Sequence, residues 1–155
     1  MIPGHGLHKG RAAEQDAARL LRRWGCTTER RGLGQSGLPD LVVSLDGTPL
    51  PFTVSVKARR DASLVHLLNR HGPTWVWWKE AAEHPHPWLL LRLPRPWGWW
   101  LVWWYKDYAT ISIWAGRDPG RCKIILYEET RDITAHPLPA ILAWTTPQQM
   151  QAALK

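Results

Sequence analysis

The chain predicts a single mixed α/β domain, with one partly antiparallel main sheet flanked by helices. Three observations lead there. An amphipathic stripe runs over residues 11–24, two alternating apolar segments flank an Asp46-Gly47 turn signal, and short apolar segments follow, separated by proline and glycine. At 155 residues the chain is long enough for one core and short for two.

The stripe is Ala13, Ala17, Leu20, Leu21 and Trp24, one face of a helix, with Gly25 as its stop signal and Asp16 placed to pair with Arg19. Glu14 aligns with Ala17, Ala18 and Leu21, which puts a carboxylate at the border of the buried stripe. Residues 30–38 (RRGLGQSGL) read as a glycine-rich loop. Residues 40–45 and 52–58 read as paired strands. Phe52, Val54 and Val56 fall on one face, and Thr53, Ser55 and Lys57 on the other. Helices are expected over 62–69 and 74–82, and a hairpin over 88–93 and 99–105. Short strands are expected over 111–114 and 123–128. A C-terminal helix over 145–154 has Thr146 as N-cap and Pro147 at its first position.

Composition narrows the function. A net charge of +7 points to a polyanionic partner, and residues 1–79 carry twelve Lys and Arg against six Asp and Glu. The bland alternative is an arginine-rich proteome, since arginines outnumber lysines 14 to 6. Met1 to Gly10 lacks the apolar run of a signal peptide. The longest apolar stretch, 97–105, falls well short of the roughly 20 residues that span a bilayer. A cytoplasmic, intracellular protein is expected. Cys26 and Cys122 are isolated, and the seven histidines show no metal-type spacing.

The first 60 residues bring together Glu14 on a helix, Ser36 in a loop, Asp40 after a proline, and Lys57 on the next strand. Phosphodiester hydrolysis needs charge neutralisation in the transition state and an activated water. A carboxylate-held divalent ion beside a lysine supplies both.

Leu38-Pro39-Asp40 followed by Ser55-Val56-Lys57 resembles the PD-(D/E)xK nuclease signature. Upstream, His8-Lys9-Gly10-Arg11-Ala12-Ala13-Glu14 opens a helix ending near Trp24-Gly25, and this run resembles archaeal-type Holliday junction resolvases, a family also found in bacteriophages. The resemblance covers about residues 5–61. The catalytic core is expected over about 8–80, and tryptophan-rich strands with a dimer interface over about 74–130. The resemblance implies a restriction-endonuclease-like fold. It also implies a homodimer making paired, magnesium-dependent nicks across a four-way DNA junction, with manganese able to substitute. Within that resemblance Glu14 and Asp40 match the metal-binding acids and Lys57 the catalytic lysine. Ser36 lies where the family keeps a serine that approaches the scissile phosphate. Lys9 and Arg11 match residues near the DNA backbone, and Arg30, Arg31, Arg59 and Arg60 are further candidates for phosphate contact.

The signature asks for an acid two residues before the lysine, and this chain has Ser55 there. A neutral hydroxyl is a poorer ligand than a carboxylate for a hard cation. Three readings stand: Glu14, Asp40 and Val56 hold the metal through waters with lower affinity, another acid such as Asp61 reaches the site, or the protein binds junctions without cutting them.

Twelve tryptophans invite a base-stacking role. Eight of them, over 75–78 and 97–104 and including Trp97, are expected to fill a core or a dimer interface instead. Alternation over 99–104 leaves one face to be covered, and a second subunit is the expected cover.

Overall fold

A computed structural model describes residues 5–31, 39–115, 124–126 and 132–155, with side chains over 10–31, 39–115 and 132–155. Ser36 and Cys122 lie outside the described residues, as do the side chains of His8 and Lys9. The elements are α1 (His5–Trp24), β1 (Thr27–Arg30), β2 (Leu41–Leu45), β3 (Thr48–Pro49), β4 (Thr53–Lys57), α2 (Val65–Asn69) and α3 (Pro73–Ala81). After these come β5 (Pro87–Leu93), β6 (Gly98–Trp104), α4 (Tyr105–Ala115), β7 (Ile124–Leu126), β8 (Ile133–Pro137), α5 (Leu138–Trp144) and α6 (Pro147–Ala153).

The described strands form one mixed sheet in the order β1-β2-β4-β5-β6-β8-β7, with β3 paired to β2. β4 and β5 are parallel, joined by a crossover through α2 and α3, and the other pairings are antiparallel. The fold is the expected mixed α/β arrangement, a central mixed sheet with helices on both faces. On one face Ala13, Ala17 and Leu21 of α1 join Val54, Val56, Trp88 and Trp103, together with residues of α4, α5 and α6. On the other, Trp77, Trp78 and Ala81 of α3 pack on Leu89, Leu91, Trp100 and Trp104.

Local chemistry explains the boundaries. Helix α1 ends in a Schellman motif: Cys26 N–H donates to the Leu21 carbonyl at 3.1 Å, Gly25 N–H donates to that of Arg22 at 3.0 Å, and Gly25 adopts φ 117°. Asp46 and Gly47 both have positive φ, 51° and 80°, as a tight hairpin turn requires. The expected C-terminal cap is present, with Thr146 accepting from Gln149 N–H and the Gln149 side chain accepting in return.

Two expectations are corrected. Residues 111–114 lie in helix α4, with Ile111 buried while Ile113 and Trp114 face solvent. Ile-Ser-Ile alternation mimics a strand, but α4 follows β6 directly and buries Asp107, Tyr108 and Ile111, which share one helical face. The second face of β6 also needs no other subunit. β6 lies inside the sheet between β5 and β8, and α3 covers that face, with Trp78 meeting Trp104 edge-on at 4.9 Å. Trp97 lies outside the core, 62% exposed at the tip of the β5–β6 hairpin.

Candidate active site and basic cleft

The site forms where β2 and β4 part. Their ladder consists of the single pair Leu41 and Val54, with Asp40 N–H donating to the Val54 carbonyl at 2.8 Å. Beyond that pair, Val56 N–H donates to Asp40 Oδ2 at 2.7 Å, so the carboxylate fills the place of a ladder carbonyl. In a strand, the N–H and C=O of one residue leave the same edge, so the Val56 carbonyl faces the same opening. Thr53, Ser55 and Lys57 are half-buried on one face of β4, while Val54 and Val56 are buried on the other.

Burial raises the Asp40 carboxyl above its ordinary value. The Val56 hydrogen bond and the nearby charges of Lys57 and Arg30 pull it down without overcoming the desolvation. Arg30, the last residue of β1, pairs its Nε with Glu14 Oε2 on α1, and so links the helix acid to the surroundings of Asp40. Four elements thus deliver Glu14, Arg30, Asp40 and Lys57 to one end of the sheet. Arg31 is exposed beside them, its N–H donating to the Asp40 carbonyl at 3.2 Å.

The donors a cation would meet are all oxygens: the carboxylates of Asp40 and Glu14, the Val56 carbonyl and the Ser55 hydroxyl. Such a set suits magnesium, which accepts hard oxygen ligands and keeps several waters. A carboxylate whose desolvation outweighs its cationic neighbours would gain from a further cation. The set is short of acids, however. Among the described residues no three of His, Cys, Asp and Glu come together as a metal site, and Asp61 lies exposed in the turn after β4.

Next to this end of the sheet is a cleft of about 350 Å³ walled by Arg59 and Arg60 after β4, Arg92 and Arg95 from the β5–β6 hairpin, and Ala12 and Ala13 of α1. Arg11, exposed, precedes that helical wall. Two of the four arginines are held by neighbours. Arg59 lies over the Trp77 ring at 5.8 Å, and Arg92 pairs with Asp16 at 3.1 Å, while Asp16 also makes the expected pair with Arg19 at 3.3 Å. Arg92 and Arg95 escape a reading of the sequence because they lie more than 30 residues beyond Lys57. The parallel pairing of Lys57 with Leu91 is what brings them beside Arg59.

Cys26, buried at the end of α1, has its thiol pushed up to about 11 by burial and packs as an apolar residue. No helix among the described residues is long and apolar enough to cross a membrane.

No protein-family model and no curated protein matches the chain. Among solved structures, the chain is similar to a Holliday junction resolvase from the archaeal hyperthermophile Archaeoglobus fulgidus, with 15% identity and a TM-score of 0.44 over 88% of this chain and 98% of that one.

Proposed function

We propose that this chain is a metal-dependent endodeoxyribonuclease of the PD-(D/E)xK type that resolves four-way DNA junctions by paired nicks. The observation that carries the reading is the Asp40 carboxylate set into the parting of β2 and β4, within reach of the Lys57 charge, with an arginine-walled cleft beginning two residues past Lys57. Nothing in a stable sheet requires a desolvated carboxylate in place of a ladder carbonyl, whereas an acid beside a lysine at an accessible end of the sheet suits metal-assisted phosphodiester hydrolysis.

Each residue has a part. Asp40, Glu14 and the Val56 carbonyl would hold magnesium or manganese, which when bound polarises the phosphate and acidifies a water. Lys57 stabilises the charge that develops on the phosphate during in-line attack. Arg59, Arg60 and Arg95 bind backbone phosphates, with Lys9, Arg11 and Arg31 extending that surface, and Ser36 is assigned to the scissile phosphate by the resemblance alone. Paired nicks need two such sites, hence a homodimer.

A second reading draws on Ser55 and on the lack of a three-acid cluster among the described residues: a junction-binding protein that does not cut. One assay separates the two. A labelled four-way junction, a linear duplex of the same sequence and a flap are incubated with the protein, with and without magnesium. Symmetric paired nicks confined to the junction support the resolvase, and cutting of the duplex or flap indicates a different nuclease of this type. Tight junction binding with no product under any metal supports the silent module.

A further inference from the structure

We propose that Trp97 is a stacking platform for an unstacked base at the branch point of the DNA, and so sets the preference for branched over linear substrate. The inference takes from the nuclease reading only that the ligand is DNA. Trp97 is 62% exposed, whereas Trp77, Trp78, Trp88, Trp100, Trp103 and Trp104 are buried. Its backbone is fixed: its N–H donates to the Pro94 carbonyl at 3.1 Å, and its own carbonyl accepts from the indole N–H of buried Trp100 at 3.1 Å. The ring is therefore presented to solvent from a turn anchored in the core, and placing it on a base orders little that is not already ordered.

The position decides the ligand. Trp97 lines an apolar cleft of about 400 Å³ with Leu64, Val65 and Leu93, and Pro94 and Arg95 wall both this cleft and the arginine cleft beside Arg59. A ligand crossing that shared wall meets four guanidinium groups on one side and an exposed indole on the other. A nucleotide strand has that pattern, its phosphates matching the cations and its base the apolar face. In a linear duplex the bases are stacked and paired, so the platform has little to hold. At a branch point the stack is interrupted and a base face becomes available.

Binding is measured in the absence of divalent metal for Trp97→Leu, Trp97→Phe and wild type, on a four-way junction and a linear duplex. A second junction carries 2-aminopurine at the branch. Trp97→Leu is expected to lose about tenfold in junction affinity and nothing on duplex, with Trp97→Phe keeping most of the preference. The 2-aminopurine emission is quenched by wild type and less so by Trp97→Leu. Equal affinity of Trp97→Leu and wild type for the junction overturns the proposal, as does an equal loss on both substrates. It is also overturned if light scattering finds that Trp97→Leu dissociates a wild-type dimer with junction preference intact, because the cover of Trp97 is then a second copy. Failure of the nuclease reading is seen separately. Trp97-dependent junction preference without cleavage in magnesium removes only the enzyme, and cleavage with unchanged preference in Trp97→Leu removes only the platform. No affinity for either DNA removes both.

Discussion

Asp40 Oδ2 accepts a hydrogen bond from Val56 N–H at 2.7 Å, across strands that share only the pair Leu41 and Val54. A backbone donor that would normally meet a carbonyl meets a carboxylate, and burial holds that carboxyl above its ordinary value. The arrangement exchanges stability for an acid at the sheet's end.

Asp40→Asn separates those two consequences. The folded protein holds the Asp40 proton more tightly than the unfolded chain. Its favourable contribution to stability is therefore complete below the ordinary carboxylate value and is lost as pH rises through the raised one. Asparagine keeps an oxygen for Val56 N–H and cannot ionise. The expected outcome is a variant that gains stability relative to wild type as pH rises through that window, yet yields no cleavage product. Urea unfolding at several pH values checks the first half, and a constant stability difference across them would mean that desolvation of Asp40 is not the cause.

Lys57 closes β4 with its charge reaching Asp40. Lys57→Met keeps the aliphatic stem and removes the charge. Single-turnover cleavage is expected to fall about 10²- to 10³-fold, while junction binding without metal changes little. A loss seen mainly in binding would place Lys57 among the phosphate contacts instead.

Ser55 shares a face with Lys57 and leaves the site with few acids. Ser55→Glu supplies the missing carboxylate, and the magnesium concentration for half-maximal cleavage is expected to drop. An unshifted titration with an active wild type removes position 55 from metal binding. If wild type is inactive and Ser55→Glu cuts, the natural protein is the silent module.

Arg30 is paired with Glu14 and its charge acts on Asp40, so it competes with any metal for both acids. Arg30→Gln is expected to tighten manganese binding, read by electron paramagnetic resonance of the free ion, while costing at most about 1 kcal/mol of stability because the pair is partly exposed. Unchanged or weaker manganese binding would show that Arg30 does not compete with the metal for these acids.

Much of this site could be read from the sequence because its signals are local. Alternation alone placed Thr53, Ser55 and Lys57 opposite Val54 and Val56, and helical spacing alone put Glu14 at the edge of the α1 stripe. What stayed hidden depends on contacts distant in sequence. β1 is four polar residues, three of them exposed, whose only strand signal is its pairing with β2. Ile111 to Ile113 alternate like a strand and are helical because α4 packs Ile111 into the core. The doubly covered face of β6 follows from its inner place in the sheet, and alternation along one strand says nothing about that place.

The arginine cleft gives the last test. If Arg59, Arg60 and Arg95 each neutralise a phosphate, counterion release makes junction affinity fall steeply with salt, by about 0.9 in the log–log slope per contact. Single substitutions Arg59→Ala, Arg60→Ala and Arg95→Ala are each expected to lower that slope by about one and to weaken junction and duplex binding alike, since phosphates carry no sequence or branch information. Arg92 behaves differently because Asp16 already partners it at 3.1 Å. Arg92→Ala is expected to change the slope by less than the others, and the double change with Asp16→Ala to restore none of the affinity. A full unit of slope lost at Arg92 alone would mean that DNA displaces Asp16 and takes the guanidinium for itself.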